Sequence, residues 1–416
     1  MGEFVYLLGN GFDLYHHFPT QYSDFLATVY YLSSIKSRSK LKTVGDAFSK
    51  VARKNKHICE CYKHYKEEYD AVTLDKDTVT FLAQKARSNM WFNYLYYSFN
   101  KDVNWIDFEK EIGNVIDVFD EFFETCEKNN TITLNDDVKD LFYVLKRFGF
   151  FFRKDEEEKL VSKTEVDGLT FAAFSIHNTY FIDDKFLEEW PYGSGVKYVN
   201  KEKIVKRLFD ELVELAEMLK HYLALFVDKV TEHLLATKQG VNGFDSKYVI
   251  SFNYTHTYEL LYGKNQPEVA HIHGECDIGN SIVLGVNPDR FDEKEGFDAS
   301  FLQFKKYFQR LFYNTDTSYI DLVKKLKKCN AQKNDFTLIV FGHSLDTTDQ
   351  DIIKELFEMA GEIIIYYPEH IGTAQLIKNL VAIFQKDKLE NMRAEKRLWF
   401  MPVQNVSWKE AVKAAN

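Results

Sequence analysis

Apolar, β-branched runs stand at the two ends of this chain, and helical periodicity fills the long stretch between them. The first run is FVYLL, at residues 4–8. The others follow residue 247: YVISF (248–252), VAHI (269–272), SIVLGV (281–286), FTLIVF (336–341), EIIIYY (362–367) and RLWFM (397–401). Several are apolar throughout, as strands buried on both faces of a helix-covered parallel sheet must be. From about residue 21 to 237 apolar residues recur at three and four spacing, as in the segments that begin at Trp105 and Val205. Those stripes read as core or partner-facing surfaces. The pattern predicts an α/β fold, a Rossmann-like doubly wound, mostly parallel sheet with a large inserted α-helical domain. The sheet would come from residues 1–30 and 245–416, and the insertion from 31–244.

The first strand runs into GNGFD, where Gly9, Asn10 and Gly11 supply a turn that tolerates close backbone approach. A helix is expected to resume at about residues 20–27. Strand, glycine turn and helix in that order present backbone N–H groups to a phosphate. The dinucleotide fingerprint wants a third glycine, and Leu14 stands in its place. The turn alone is therefore equally readable as a tight connection without a ligand.

In open sheets of this kind, ligands lie beyond the carboxyl ends of the strands. Four polar clusters fall there: GNGFD (9–13), NYTHTYE (253–259), HGE (273–275) and GHSLDTTDQD (342–351). Each member has a structural reading of its own. Asn253 suits an Asx-turn or helix N-cap, His273 a satisfied core histidine, and Asp346, Asp349 and Asp351 the N-caps of the next helix. Core packing does not require all four clusters together, so the set points to a site.

Bulk properties narrow the function. With 416 residues, 45% of them hydrophobic and 16% aromatic, the chain has core enough for two or three domains. No run approaches the ~18–20 apolar residues of a membrane helix, and residues 4–8 are too short and too early for a secretory segment. Tyr6 occupies the position where a myristoylation signal needs Ser or Thr. The expectation is a cytoplasmic protein without membrane contact. The net charge of −10 disfavours attraction of nucleic acid to the whole surface, but residues 36–67 carry ten Lys or Arg against three acids. That run is either a solvated face or a docking patch for nucleic acid or an acidic partner. Five cysteines without framework or zinc spacing fit reduced thiols, and no motif specifies a metal.

GNGFDLYHHFPTQYSDFL, WIDFE (105–109), FNYTHTYELLY (252–262), HIHG (271–274) and FGHSLDTTDQDI (341–352), in that order, resemble the bacterial abortive-infection AbiH family of antiphage proteins. The frame is also similar, less specifically, to sirtuin-like domains: a glycine turn after the first strand, an Asn-containing loop, a His-Gly and a later Gly-x-Ser-Leu turn. Asn253 and His273 fall on the Asn and His positions of that pattern. Thr255 stands where it usually has aspartate, and Asn10 where it has alanine.

The resemblance implies NAD as ligand or substrate and a glycohydrolase that depletes it. In that reading His273 is the base and Asn253 orients the attacking water or ribose hydroxyl. Gly9, Asn10 and Gly11 receive the pyrophosphate, Phe12 walls off solvent or contacts the nicotinamide end, and Asp13 caps the next helix or bonds a ribose hydroxyl. Thr255 and Gly274 join the nucleotide contacts, with Gly342, His343 and Ser344 at the adenosine side. A phage-derived trigger and self-association fit an effector held silent until infection. Two rivals stay open: a nucleotide-binding sensor or adaptor without catalysis, and a metal-dependent nuclease using the D-x-x-D-x-D carboxylates Asp346, Asp349 and Asp351.

Overall fold

The structure, a computed structural model, describes residues 3–403 except 37, 103–106, 238–245, 278, 287–298, 330–335, 369–371 and all but a few short pieces between 129 and 199. Six parallel strands form the sheet: β1 (Glu3–Leu8), β2 (Tyr248–Ser251), β3 (Glu268–His271), β4 (Phe336–Phe341), β5 (Glu362–Pro368) and β6 (Leu398–Val403). Their spatial order is β3-β2-β1-β4-β5-β6, the doubly wound order of dinucleotide-binding sheets. β1 lies between β4 and β2, pairing in register Leu7 with Val340 on one side and with Ile250 on the other. The first strand is thus central, and the topological switch point falls between β1 and β4.

Period-two alternation sends successive β1 side chains to opposite faces. Val5 and Leu7 pack with Ile250, Val340 and Ile363 under helices from the carboxy-terminal third. Tyr6 and Leu8 join Val249, Ile339 and Phe341 in a second cluster that continues into the helical segment. Each fully buried Leu, Ile or Phe contributes roughly 1.5–3 kcal/mol. The insertion is therefore seated on the sheet by a shared core.

The helices that shape the site are α1 (Asn10–Tyr15), α2 (Tyr22–Ser34), α3 (Val44–Val51), α4 (Lys56–His64), α5 (Met90–Asp102), α6 (Phe108–Lys128), α7 (Lys201–Leu223), α8 (Lys229–Thr237), α9 (Lys306–Tyr313) and α10 (Gln350–Met359). A capping box of Gln21 and Asp24 starts α2, with both reciprocal hydrogen bonds present. A π turn, Ala224–Asp228, joins α7 to α8. No helix among the described residues is long and apolar enough to cross a membrane.

Two expectations are corrected, and the insertion carries short strands beside its helices. Helix begins at Asn10, directly after the glycine turn, and not first at residue 20. The 31–244 stretch also carries three antiparallel strand pairs, Phe151–Arg153 with Tyr180–Ile182, Thr164–Val166 with Leu169–Phe171, and Leu187–Glu189 with Lys197–Val199. Residues 281–286 form no sheet strand; among them only Val286 makes a bridge, to Lys305. Side chains join a few backbone bonds there, such as the Val283 N–H to the His273 carbonyl at 2.8 Å. Leu284 donates its N–H to Gln309 Oε1 at 2.9 Å and accepts from Gln309 Nε2 at 2.9 Å, while the Tyr254 hydroxyl donates to the Val283 carbonyl at 2.8 Å. Cys59, Cys61 and Cys276 are free thiols; the side chains of Cys126 and Cys329 lie outside the described residues, as do Trp105 and Ile106 of WIDFE.

Candidate functional site

The turns after β1 and β4 meet at the switch point. Gly9 donates its N–H to the Phe341 carbonyl (3.1 Å), and Gly11 donates to Gly342 (2.8 Å). A Cβ on Gly9 would lie 2.6 Å from the His343 Cα; one on Gly342, where φ is +72°, would lie 2.2 Å from the Phe12 nitrogen. Glycine is required at both places by this approach. The Gly9 and Gly11 amides are thus already engaged within the fold. Phe12 is fully buried, edge-on to Phe341 at 5.8 Å.

Above these turns opens a cleft of about 1170 Å³. Gly9, Asn10, Asp13, Asn253, Thr255, His273, Gly342, His343 and Ser344 all line it, whereas Gly11, Phe12 and Gly274 do not. Asn253 Nδ2 donates to the Gly9 carbonyl at 3.1 Å, tying the loop after β2 to the first turn. Its carbonyl faces His271 Nδ1 at 2.9 Å, and His271 Nε2 lies 2.6 Å from Glu259 Oε1. The loop that carries Asn253 is therefore fixed from both sides.

Asp13 caps no helix. It sits in the first turn of α1 and accepts the Thr255 hydroxyl on Oδ2 at 2.6 Å, while its buried Oδ1 has no hydrogen-bond partner among the described residues. Burial pushes its carboxyl up to about 7, against the hydrogen bonds of Thr255 and Thr257. A buried carboxylate oxygen at a cleft wall is an acceptor waiting for a donor.

On the other wall, Lys306 of α9 is buried between Asp349 Oδ1 (3.0 Å) and Glu109 Oε1 (2.8 Å). Burial would lower its ammonium, but the two carboxylates hold it raised. Asp349 would be raised by burial; Lys306 and His273 hold it well below the usual carboxylate range. His273 Nε2 lies 3.1 Å from Asp349 Oδ1, off the line of a hydrogen bond. Burial, with Lys306 adding, lowers the His273 imidazole to about 4, so it is neutral at pH 7. His343 is likewise lowered to about 4 by burial, and its Nδ1 accepts the Leu345 N–H at 2.9 Å. That bond places the ring proton on Nε2, 3.8 Å from Asp349 Oδ2.

The D-x-x-D-x-D carboxylates do not converge. Asp346 caps the turn at Thr347–Asp349 by accepting from Thr348, Asp349 pairs with Lys306, and Asp351 pairs with Arg310. The sequence reading missed Lys306 altogether and took Glu109 only as part of a motif. It also missed a group beneath the Asn253 loop, where Asp228 Oδ2 lies 2.7 Å from His256 Nδ1 and 3.0 Å from Cys276 Sγ. These donor types suit a borderline-soft cation. Hydrogen bonds already join the three, with the Cys276 thiol donating to Asp228. None of the three lines the cleft.

No curated protein matches this chain, and no solved structure does. The likeness to sirtuin-like domains therefore stays at the motifs. A family model, bacteriophage abortive infection AbiH, matches residues 5–367, from within β1 to within β5. The chain belongs to the AbiH family, and its role lies in phage abortive infection.

Proposed function

We propose that the cleft binds NAD and that the protein acts in abortive infection by cleaving its nicotinamide glycosidic bond. One observation carries the reading. Asn253 and His273, from the ends of neighbouring strands, line the same cleft at the switch point as Asp13, whose Oδ1 has no partner among the described residues. At about 1170 Å³ the cleft is roomier than the ~300–1,000 Å³ of ordinary small-molecule sites, which suits a dinucleotide.

Water attacks the anomeric carbon, the C–N bond to nicotinamide breaks, and its electron pair leaves with the base. The products are nicotinamide, ADP-ribose and a proton. His273, kept neutral at pH 7 by its burial, accepts that proton as a weak base. Asn253, held by its bond to Gly9, orients the water through an amide that donates and accepts without titrating. The free Asp13 oxygen accepts a ribose hydroxyl, while Ser344 and Asn10 at the rim supply phosphate contacts in place of the engaged glycine amides. Holding the oxocarbenium-like state among such groups is the protein's main contribution.

The burial of His273, whose side chain is 5% exposed, favours a second reading, a nucleotide sensor without turnover. Purified protein incubated with NAD separates the two. Release of nicotinamide supports the hydrolase, and binding without release supports the sensor.

A further inference from the structure

A second cavity, of about 680 Å³, lies among α2, the end of α3, the start of α4 and α5. Lys50, Arg53, Lys54 and Lys56 line one side, and Tyr30, Tyr31, Tyr96 and Phe99 the other. This is where part of the basic 36–67 run ends up. We propose that this cavity binds a nucleoside phosphate, with the phosphate on the cations and the base on the aromatic wall. The inference goes beyond the NAD reading and does not depend on it.

The cations are not spent on the fold. Arg53, Lys54 and Lys56 are exposed, and Lys50, Arg53 and Lys54 make no ion pair among the described residues. Lys56 lies 3.8 Å from Glu60 with both side chains mostly exposed, a contact of little worth. Asp24, a buried acid nearby, is fully taken: Oδ2 by His57 Nδ1 at 2.7 Å and Oδ1 by Asn55 at 3.2 Å. Three of the cations also crowd the amino end of α4, whose first turn carries no acid. Positive charge at the positive end of a helix costs stability unless an anion joins it. Local electrostatics that oppose the helix are what a binding site, rather than a solvated face, explains.

The aromatic wall specifies more than an anion. Tyr30 and Tyr96 stack at 3.9 Å with 14° between their planes, and Tyr30 stays 44% exposed, so ring surface is open in the cavity that the cations also line. A base on such a surface and its phosphate on Arg and Lys is the pairing used for single strands and free nucleotides alike. Gln21 lines both this cavity and the cleft, which sets the ligand directly across the start of α2 from Asn10 and Asp13.

Fluorescence anisotropy with a labelled oligothymidylate and, separately, a labelled adenosine monophosphate tests the assignment on the full chain. Either probe should bind, more weakly as salt rises. The double variant Arg53→Glu/Lys54→Glu and the variant Tyr30→Ala should each weaken binding at least tenfold with the chain still folded, the charge reversal leaving the unfolding midpoint no lower and Tyr30→Ala lowering it only by the loss of the Tyr96 stack. His273→Ala should bind as the parent does. The probe that binds identifies the source, strand or free nucleotide. Failure of both probes to bind, binding unchanged in the cavity variants, or equal competition by inorganic phosphate overturns the proposal. NAD loss is measured separately, so either reading can fail alone.

Discussion

The Thr255 hydroxyl donates to Asp13 Oδ2 across 2.6 Å and so joins the loop after β2 to the first helical turn after β1. Two residues 242 apart in sequence, one on either side of the insertion, thus build one wall of the cleft. The bond is made to a carboxyl that burial raises to about 7 from 3.8. A native state that binds the proton more tightly than the unfolded chain loses stability as pH rises between those values. The contribution is complete below about pH 4 and gone above about pH 7. Asp13→Asn keeps an acceptor for Thr255 and removes the titration. Urea unfolding of both proteins from pH 5 to 8 should show the parent falling relative to the variant by up to about 1.4 kcal/mol per pH unit. Parallel curves would mean that Asp13 titrates as an ordinary carboxylate.

Lys306 neutralises two carboxylates in a wall from which water is largely excluded. Lys306→Met keeps the length and removes the charge, leaving Asp349 and Glu109 facing each other. The expected destabilisation is about 3–5 kcal/mol by chemical denaturation. A loss below about 1 kcal/mol would show the carboxylates to be solvated or protonated already.

Gly342 and Gly279 separate backbone conformation from close approach. Both have positive φ, +72° and +96°, but a Cβ on Gly279 meets nothing within 4 Å whereas one on Gly342 collides with α1. Gly279→Ala should cost about 1–3 kcal/mol, the price of the left-handed conformation alone. Gly342→Ala should cost distinctly more and abolish NAD binding, because it pushes the two turns apart. Equal costs would place the constraint in the dihedral and not in the contact.

Much of the sheet was legible because its strands are short, apolar and bounded by polar clusters, and β4 matches its run from Phe336 to Phe341 to the residue. FVYLL is apolar throughout, which fits the place of β1 between β2 and β4. Residues 281–286 carried the same signature and misled, since Gln309 and Tyr254 satisfy that backbone from a distance no local pattern records. Lys306 was illegible for a related reason. Lysine in an amphipathic helix reads as solvated, and its burial is decided by Asp349, 43 residues on, and by Glu109. The Asp228, His256 and Cys276 group escaped notice because its members are 28 and 48 residues apart, with no ligand-like spacing. The loops after the strands were readable as a set, whereas the inward turn of Phe12 depended on Phe341 and Tyr262 closing around it.

The central claim is that this cleft consumes NAD through His273. The direct measurement is NAD concentration over time with purified protein, with and without phage lysate, beside His273→Ala and Asn253→Ala. NAD should fall with the parent protein and be spared about 10²- to 10⁴-fold in each variant, both variants remaining folded. Because burial lowers His273 to about 4, the parent rate should hold from pH 6 to 8 as far as His273 controls it. NAD loss at the parent rate in both variants, or no loss by the parent under either condition, would contradict the account.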